Sequence, residues 1–187
     1  MKKTAILIVI LAFVILLPAS DGRFFVSAGA GLLVPKDSGF KDFYGQALVG
    51  PDLRAGLRLY RGFHALIGVS FFTAKGTIPV LGDEASASQF FLPLGIGWET
   101  RSGSLGVEFH GGLLLAGFRE KALGVTASKM APGFDVGGGL RYFLKRSVFL
   151  ELAFGYAGAA TSVQTEAGEK DIELGGLGLG VRLGFRL

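Results

Sequence analysis

The chain has 187 residues, is 50% hydrophobic and carries a formal net charge of +4. It contains no cysteine, which excludes a disulfide framework and an N-terminal lipid-modified cysteine. Its basic balance comes without a run of like charge, against nucleic-acid binding, and its 31 glycines follow no collagen period and form no low-complexity block, against disorder.

The N-terminus reads as an export signal. Lys2 and Lys3 precede an apolar stretch from Ala5 to Leu17, and Pro18-Ala19-Ser20 follows. A basic start, a short apolar core and small residues at its end are the features of a cleaved signal peptide. The apolar stretch, about thirteen residues, is short of the roughly 20 that a spanning helix needs. The expected division is a signal peptide over 1–20, cut after Ala19 or Ser20, and one domain over 21–187.

From Arg23 onward one pattern is written eight times. Each segment alternates an apolar side chain with a small or polar one, and a turn follows. Segment one, Arg23 to Val34, puts Phe24, Val26, Ala28, Ala30 and Leu32 on one face. Segment two, Asp52 to Tyr60, does so with Leu53, Ala55, Leu57 and Leu59. Segment three, Phe63 to Phe72, has Phe63, Ala65, Ile67, Val69 and Phe71. Segment four, Gln89 to Glu99, has Phe90, Leu92, Leu94, Ile96 and Trp98.

Segment five, Leu105 to Leu115, presents Leu105, Val107, Phe109, Leu113 and Leu115. Segment six, Gly133 to Tyr142, presents Phe134, Val136, Gly138, Leu140 and Tyr142. Segment seven, Val148 to Tyr156, presents Val148, Leu150, Leu152, Phe154 and Tyr156. Segment eight, Leu177 to Leu187, presents Leu177, Leu179, Val181, Leu183, Phe185 and Leu187. Period two is the strand signal. A helix is excluded by glycine recurring through every would-be interior.

The apolar face carries no charge in any segment, while the other face carries almost all the charges. An oily outside around a charged inside is the inverse of a soluble barrel and suits one solvated by lipid. The connections alternate as well. Arg61-Gly62, Arg101-Ser102-Gly103 and Leu144-Lys145-Arg146 are of hairpin length. Pro35 to Pro51, Thr73 to Ser88, Arg119 to Pro132 and Ala157 to Gly176 read as longer loops. Short turns on one rim and long loops on the other are the outer-membrane plan, with loops extracellular and both termini periplasmic.

Aromatic residues mark two levels. Phe24, Phe63, Trp98, Tyr142 and Phe185 fall at the short-turn end of the apolar face, and Phe71, Phe90, Phe134 and Tyr156 at the other. Aromatic girdles are expected where a barrel crosses the two lipid interfaces. The expected fold class is therefore all-β: an eight-stranded antiparallel up-and-down transmembrane β-barrel.

On this plan, and on stretches such as "FLPLGIGWE" (Phe91 to Glu99) and the glycine-alternating end "LGLGVRLGFRL", the chain resembles the small OmpA/OmpX-like outer-membrane barrels over Arg23 to Leu187. Members often end in Phe; here Phe185 and Leu187 keep the alternation but the last residue is Leu. The resemblance implies a monomer in the bacterial outer membrane, meeting membrane lipid and lipopolysaccharide and inserted by the outer-membrane assembly machinery. The family also includes lipid A acyltransferases and deacylases, with a His and a Ser near the outer rim or lipid face, and OmpW-like channels for small hydrophobic solutes.

The inward set holds Arg54, Arg58, Arg141, Arg182 and Arg186 against Glu99, Glu108, Asp135 and Glu151, with His64 and His110. Eight strands enclose barely more than their own side chains, and buried charges must be paired, so a charge network filling the periplasmic half is expected. Glu108 and His110 share a face two residues apart, a spacing at which a carboxylate could orient a general base. No Ser or Thr is presented beside them and no metal spacing appears, so neither a catalytic set, nor a metal site, nor a cofactor is expected. Toward the loops the inward set turns apolar. Phe72, Phe91 and Leu114, on consecutive strands, are candidates for an apolar ligand pocket, with Gly95 and Gly112 leaving room.

The function expected is non-enzymatic: membrane integrity, surface interaction or binding of a lipid-like molecule. A narrow channel for small hydrophobic solutes ranks second and a lipid A-modifying enzyme third.

Overall fold

A computed structural model describes residues 23–77, 84–122, 125–165 and 168–187, and the side chains of these except 163–170. The expected signal peptide, 1–20, lies outside the described residues. Eight strands close into one barrel, each paired antiparallel with its neighbour in sequence and the last with the first. They are β1 (Phe24–Pro35), β2 (Leu48–Tyr60), β3 (Phe63–Thr77), β4 (Glu84–Ser102), β5 (Leu105–Ala122), β6 (Val125–Phe143), β7 (Val148–Thr165) and β8 (Gly168–Arg186). One short helix, α1 (Ser38–Tyr44), lies between β1 and β2. Closure leaves no unpaired edge, as a lipid-solvated sheet requires.

The lipid face follows the odd–even reading. Leu94, Leu113, Leu140, Leu152 and Val181 are all exposed at mid-strand. In water so much exposed apolar surface would be an aggregation hazard; in a bilayer it is the solvated face. Both aromatic levels form on this face. Phe63 stands opposite Trp98 at the short-turn end, and Phe71 opposite Phe90 at the other.

Three of the four stretches expected as long loops are mostly strand. β3 and β4 pair as far as Thr77 and Glu84, β5 and β6 as far as Ala122 and Val125, and β7 and β8 as far as Thr165 and Gly168. The reason is that the alternation changes sign past the upper aromatic level. There the inward residues are apolar and buried: Ala74, Ala85, Ala87, Ala116, Phe118 and Ala131. The outward ones are polar and exposed: Thr73, Lys75, Ser86, Arg119, Lys121 and Ser128. Beyond the bilayer the sheet meets water, and the ordinary soluble pattern returns. A reading tuned to apolar-out segments stops where the sign flips.

The fourth stretch contains α1. Asp37 caps it, its carboxylate accepting from the Phe40 amide at 2.7 Å, and Gly45 ends it at φ 107°. Phe40 and Tyr44 are buried and join Leu33, Leu48, Phe72, Phe91, Leu114 and Leu174 in one apolar cluster. The helix thus packs onto the apolar contents of the long-hairpin end. The Tyr44 hydroxyl reaches Glu120 at the end of β5, and burial pushes that phenol above its ordinary range, with the hydrogen bond to Glu120 adding to the shift.

Candidate functional site

The site is the lumen, built from the inward residues of all eight strands. At its floor Arg141 on β6 is fully buried. Its Nε donates to Glu151 Oε2 on β7 at 2.8 Å and its Nη1 to Glu99 on β4. Arg182 on β8 donates through Nε to Asp52 Oδ2 at 2.7 Å and through Nη1 to Glu151 Oε1 at 2.5 Å. Arg186 donates to Glu99, and Arg58 Nη2 stands 3.7 Å from the same carboxylate. These forked, two-carboxylate contacts are what planar guanidinium groups make well.

Glu108 on β5 is the hub of the other half. Its Oε1 lies 3.4 Å from His64 Nε2 and 3.2 Å from His110 Nδ1, and its Oε2 lies 3.9 Å from Arg54 Nη1. His110 Nε2 in turn stands 3.3 Å from Asp135 Oδ1 on β6. Arg54 Nη1 also lies 3.1 Å from His110 Nδ1. Nδ1 therefore stands between a group that only donates, Arg54, and one that only accepts, Glu108 Oε1, and it can serve one of them at a time.

Aromatic rings floor the network. The Arg141 guanidinium sits 4.5 Å from the Phe25 ring centre and 5.0 Å from that of Phe149, and Arg186 sits 4.5 Å from that of Phe143. Cation–π contact desolvates the cations at a lower penalty than an aliphatic wall would.

All ten residues singled out for the charge network, and His64, lie in this one constellation. The sequence reading omitted Asp52. It has the same strand parity as Arg54 and Arg58, which was the available signal, and it receives Arg182 and the Ser70 hydroxyl. With it, the network sets the five guanidinium groups of Arg54, Arg58, Arg141, Arg182 and Arg186 against the five carboxylates of Asp52, Glu99, Glu108, Asp135 and Glu151. Near-neutrality is what allows so many charges to be held out of water.

Phe72, Phe91 and Leu114 also converge, each buried, with the Phe72 and Phe91 ring centres 6.0 Å apart. Beneath them, at mid-lumen, is a cavity of about 80 Å³. Its lining is mixed: Phe72, Phe91 and Leu114 on one side, Asp52, Arg54 and Arg182 on the other. That is smaller than the roughly 150 Å³ that accepts a benzene ring in a dry protein core, and its polar side suits a few waters.

The expectation that Gly95 and Gly112 leave ligand volume is overturned. A Cβ on Gly112 would stand 2.3 Å from the Leu94 carbonyl oxygen, and one on Gly95 2.5 Å from that of Gly111. Neighbouring backbone fills those places: β4 and β5 cross too closely there for any side chain. Among the glycines lining the cavity, Gly178 has room, a Cβ meeting nothing nearer than 3.9 Å. No group of three or more His, Cys, Asp or Glu suited to a metal occurs among the described residues.

No protein-family model matches the sequence, and neither does any curated protein. Solved structures do match in fold. Neisserial surface protein A superposes with a TM-score of 0.66 at 14% identity, over 89% of this chain and 98% of that one. The outer membrane protein OprG from Pseudomonas aeruginosa gives 0.67 at 12% identity, over 88% and 95%. Ail, the attachment invasion locus protein of Yersinia pestis, gives 0.58 at 11% identity, over 88% and 97%, in a complex with the heparin analogue sucrose octasulfate. All three are small barrels of similar length, and the likeness is one of fold.

Proposed function

We propose that this chain, with the fold of the small eight-stranded outer-membrane barrels as the premise, is a non-enzymatic outer-membrane protein that works through its surfaces while its lumen serves as a plug. One observation carries the reading: Glu108, Arg141 and Phe149 are each 0% exposed in the short-turn half of the barrel. Above them the lumen is packed with apolar side chains and covered by Phe40 and Tyr44 of α1. A barrel filled this way spends its interior on rigidity. It leaves its rims and lipid face for interaction.

In the proposed orientation the long hairpins are extracellular and the termini periplasmic, and the protein is a monomer inserted by the assembly machinery. Lys75 on β3 and Arg119 and Lys121 on β5 point outward just past the upper aromatic level, on either side of β4. They are placed to meet the phosphates of lipopolysaccharide. An acyl-sized ligand would need more than the 80 Å³ cavity and would have to displace the α1 aromatics.

Conductance in a planar bilayer tests the plug. The expected result is no stable open level; a large steady conductance from correctly folded protein would overturn the reading in favour of a channel. Unchanged lipid A mass on expression is the matching expectation for a protein without lipid-modifying activity.

A further inference from the structure

The rim formed by the short turns has a charge composition that the lumen does not explain. Arg23 immediately precedes β1, Arg61 lies in the β2–β3 turn, Arg101 is the last residue but one of β4, and Lys145 and Arg146 lie in the β6–β7 turn. All five are exposed. Every connection on this rim therefore contributes a cation. The acidic side chains nearest this level among the described residues, Glu99 and its cross-strand partner Glu108, are both buried and engaged in the lumen network. The opposite rim is mixed: exposed Asp42, Glu84, Asp171 and Glu173 accompany its lysines, and Lys36 is paired with Glu173 at 2.5 Å.

Two of these cations are held in place. Arg101 donates through Nε to the Gly103 carbonyl at 2.8 Å and stacks 3.9 Å from the Phe143 ring centre, which holds its guanidinium at this rim. Arg61 stacks 4.9 Å from the Tyr60 ring centre. It also adopts φ 43°, the sole non-glycine positive φ among the described residues. A cationic side chain at a place that suits Gly or Asn costs backbone strain that the turn itself does not require.

Depth identifies the partner. Each cation lies one to four residues past the short-turn aromatics Phe24, Phe63, Trp98 and Tyr142. A strand advances about 3.3 Å per residue, less when tilted. The cations therefore fall within the headgroup layer, which adds roughly 5–7 Å on each side of the hydrocarbon. Side chains at that depth meet lipid phosphates before they meet solutes.

We propose that the short-turn rim is a binding ring for anionic phospholipid headgroups, with Arg23, Arg61, Arg101, Lys145 and Arg146 gathering a shell of phosphatidylglycerol-type lipid around the barrel. The ring would anchor the barrel vertically and give it a preferred lipid at one leaflet only.

The single tryptophan makes this measurable, because Trp98 lies on the lipid face at this rim. The protein is refolded into phosphatidylcholine vesicles in which either brominated phosphatidylcholine or brominated phosphatidylglycerol replaces a fixed fraction. Bromine quenches indole only in contact. Trp98 should be quenched by the phosphatidylglycerol as if that lipid were enriched about threefold at the rim, and high salt should lower the enrichment toward one. The variant Arg61→Asn/Arg101→Gln/Lys145→Gln/Arg146→Gln, which leaves the lumen network intact, should remove the enrichment while keeping the heat-modifiable gel shift of a folded barrel. If that variant fails to fold, the salt dependence of the parent decides. Equal quenching by the two lipids in the parent protein at low salt overturns the ring, even where the same rim retains a soluble polyanion in detergent.

Discussion

Glu108 Oε2 and Arg141 Nη2 face one another at 3.8 Å in the floor of the lumen, and neither atom has a hydrogen-bond partner. The separation is ionic contact, too long for a hydrogen bond. At this point the network is held by charge balance. Removing one member should therefore cost more than the loss of any single hydrogen bond.

Glu108→Ala should destabilise the barrel by about 3–5 kcal/mol, because it strips the carboxylate from Arg141, Arg54 and two histidines at once. Arg54→Met combined with Glu108→Gln removes one charge of each sign and should be less damaging than Glu108→Ala alone. Urea titration of refolded protein in vesicles, followed by Trp98 fluorescence, measures both. A double variant weaker than the single one would contradict balance as the organising term.

Leu94→Arg should cost about 2–4 kcal/mol, because Leu94 is exposed on the lipid face near mid-strand. The readout is the fraction of protein showing the faster unheated gel migration of a folded barrel. Assembly equal to that of the parent would place this face of β4 away from lipid.

Gly112→Ala and Gly178→Ala should behave oppositely. The first puts a methyl 2.3 Å from the Leu94 carbonyl oxygen and should disrupt the β4–β5 pairing; the second meets nothing nearer than 3.9 Å and should fold normally. The same urea titration separates them. Tolerance of alanine at Gly112 would mean that β4 and β5 are farther apart than described.

Tyr44 should remain protonated at a pH where ordinary tyrosines ionise, since burial and Glu120 raise its pKa. A raised folded-state pKa gives stability that is fully present below the unfolded tyrosine value and is lost as pH rises through the folded one. Ultraviolet titration through the usual tyrosine range should therefore show the same amplitude in the parent and in Tyr44→Phe. A smaller amplitude in the variant would show that Tyr44 titrates normally and that α1 does not seal the hairpin end.

The amino-acid sequence by itself determined the strand count, the face that meets lipid and the two aromatic levels. These rest on a period of two imposed by the pleat, and on a solvent that tolerates no charge, so each is local to its own strand. It also placed ten charged or histidine side chains in the lumen by parity alone. Tertiary structure decided what those side chains meet. Arg182 takes Asp52 from 130 residues away, and Arg141 takes Glu99 from 42. Such pairings depend on how far each strand slides against the next as the barrel closes, a quantity no single segment contains. The same closure brings β4 and β5 together until Gly95 and Gly112 admit no side chain. It also gathers Phe40 and Tyr44 over an apolar upper lumen, because only a closed mouth gives α1 a surface on which to bury them.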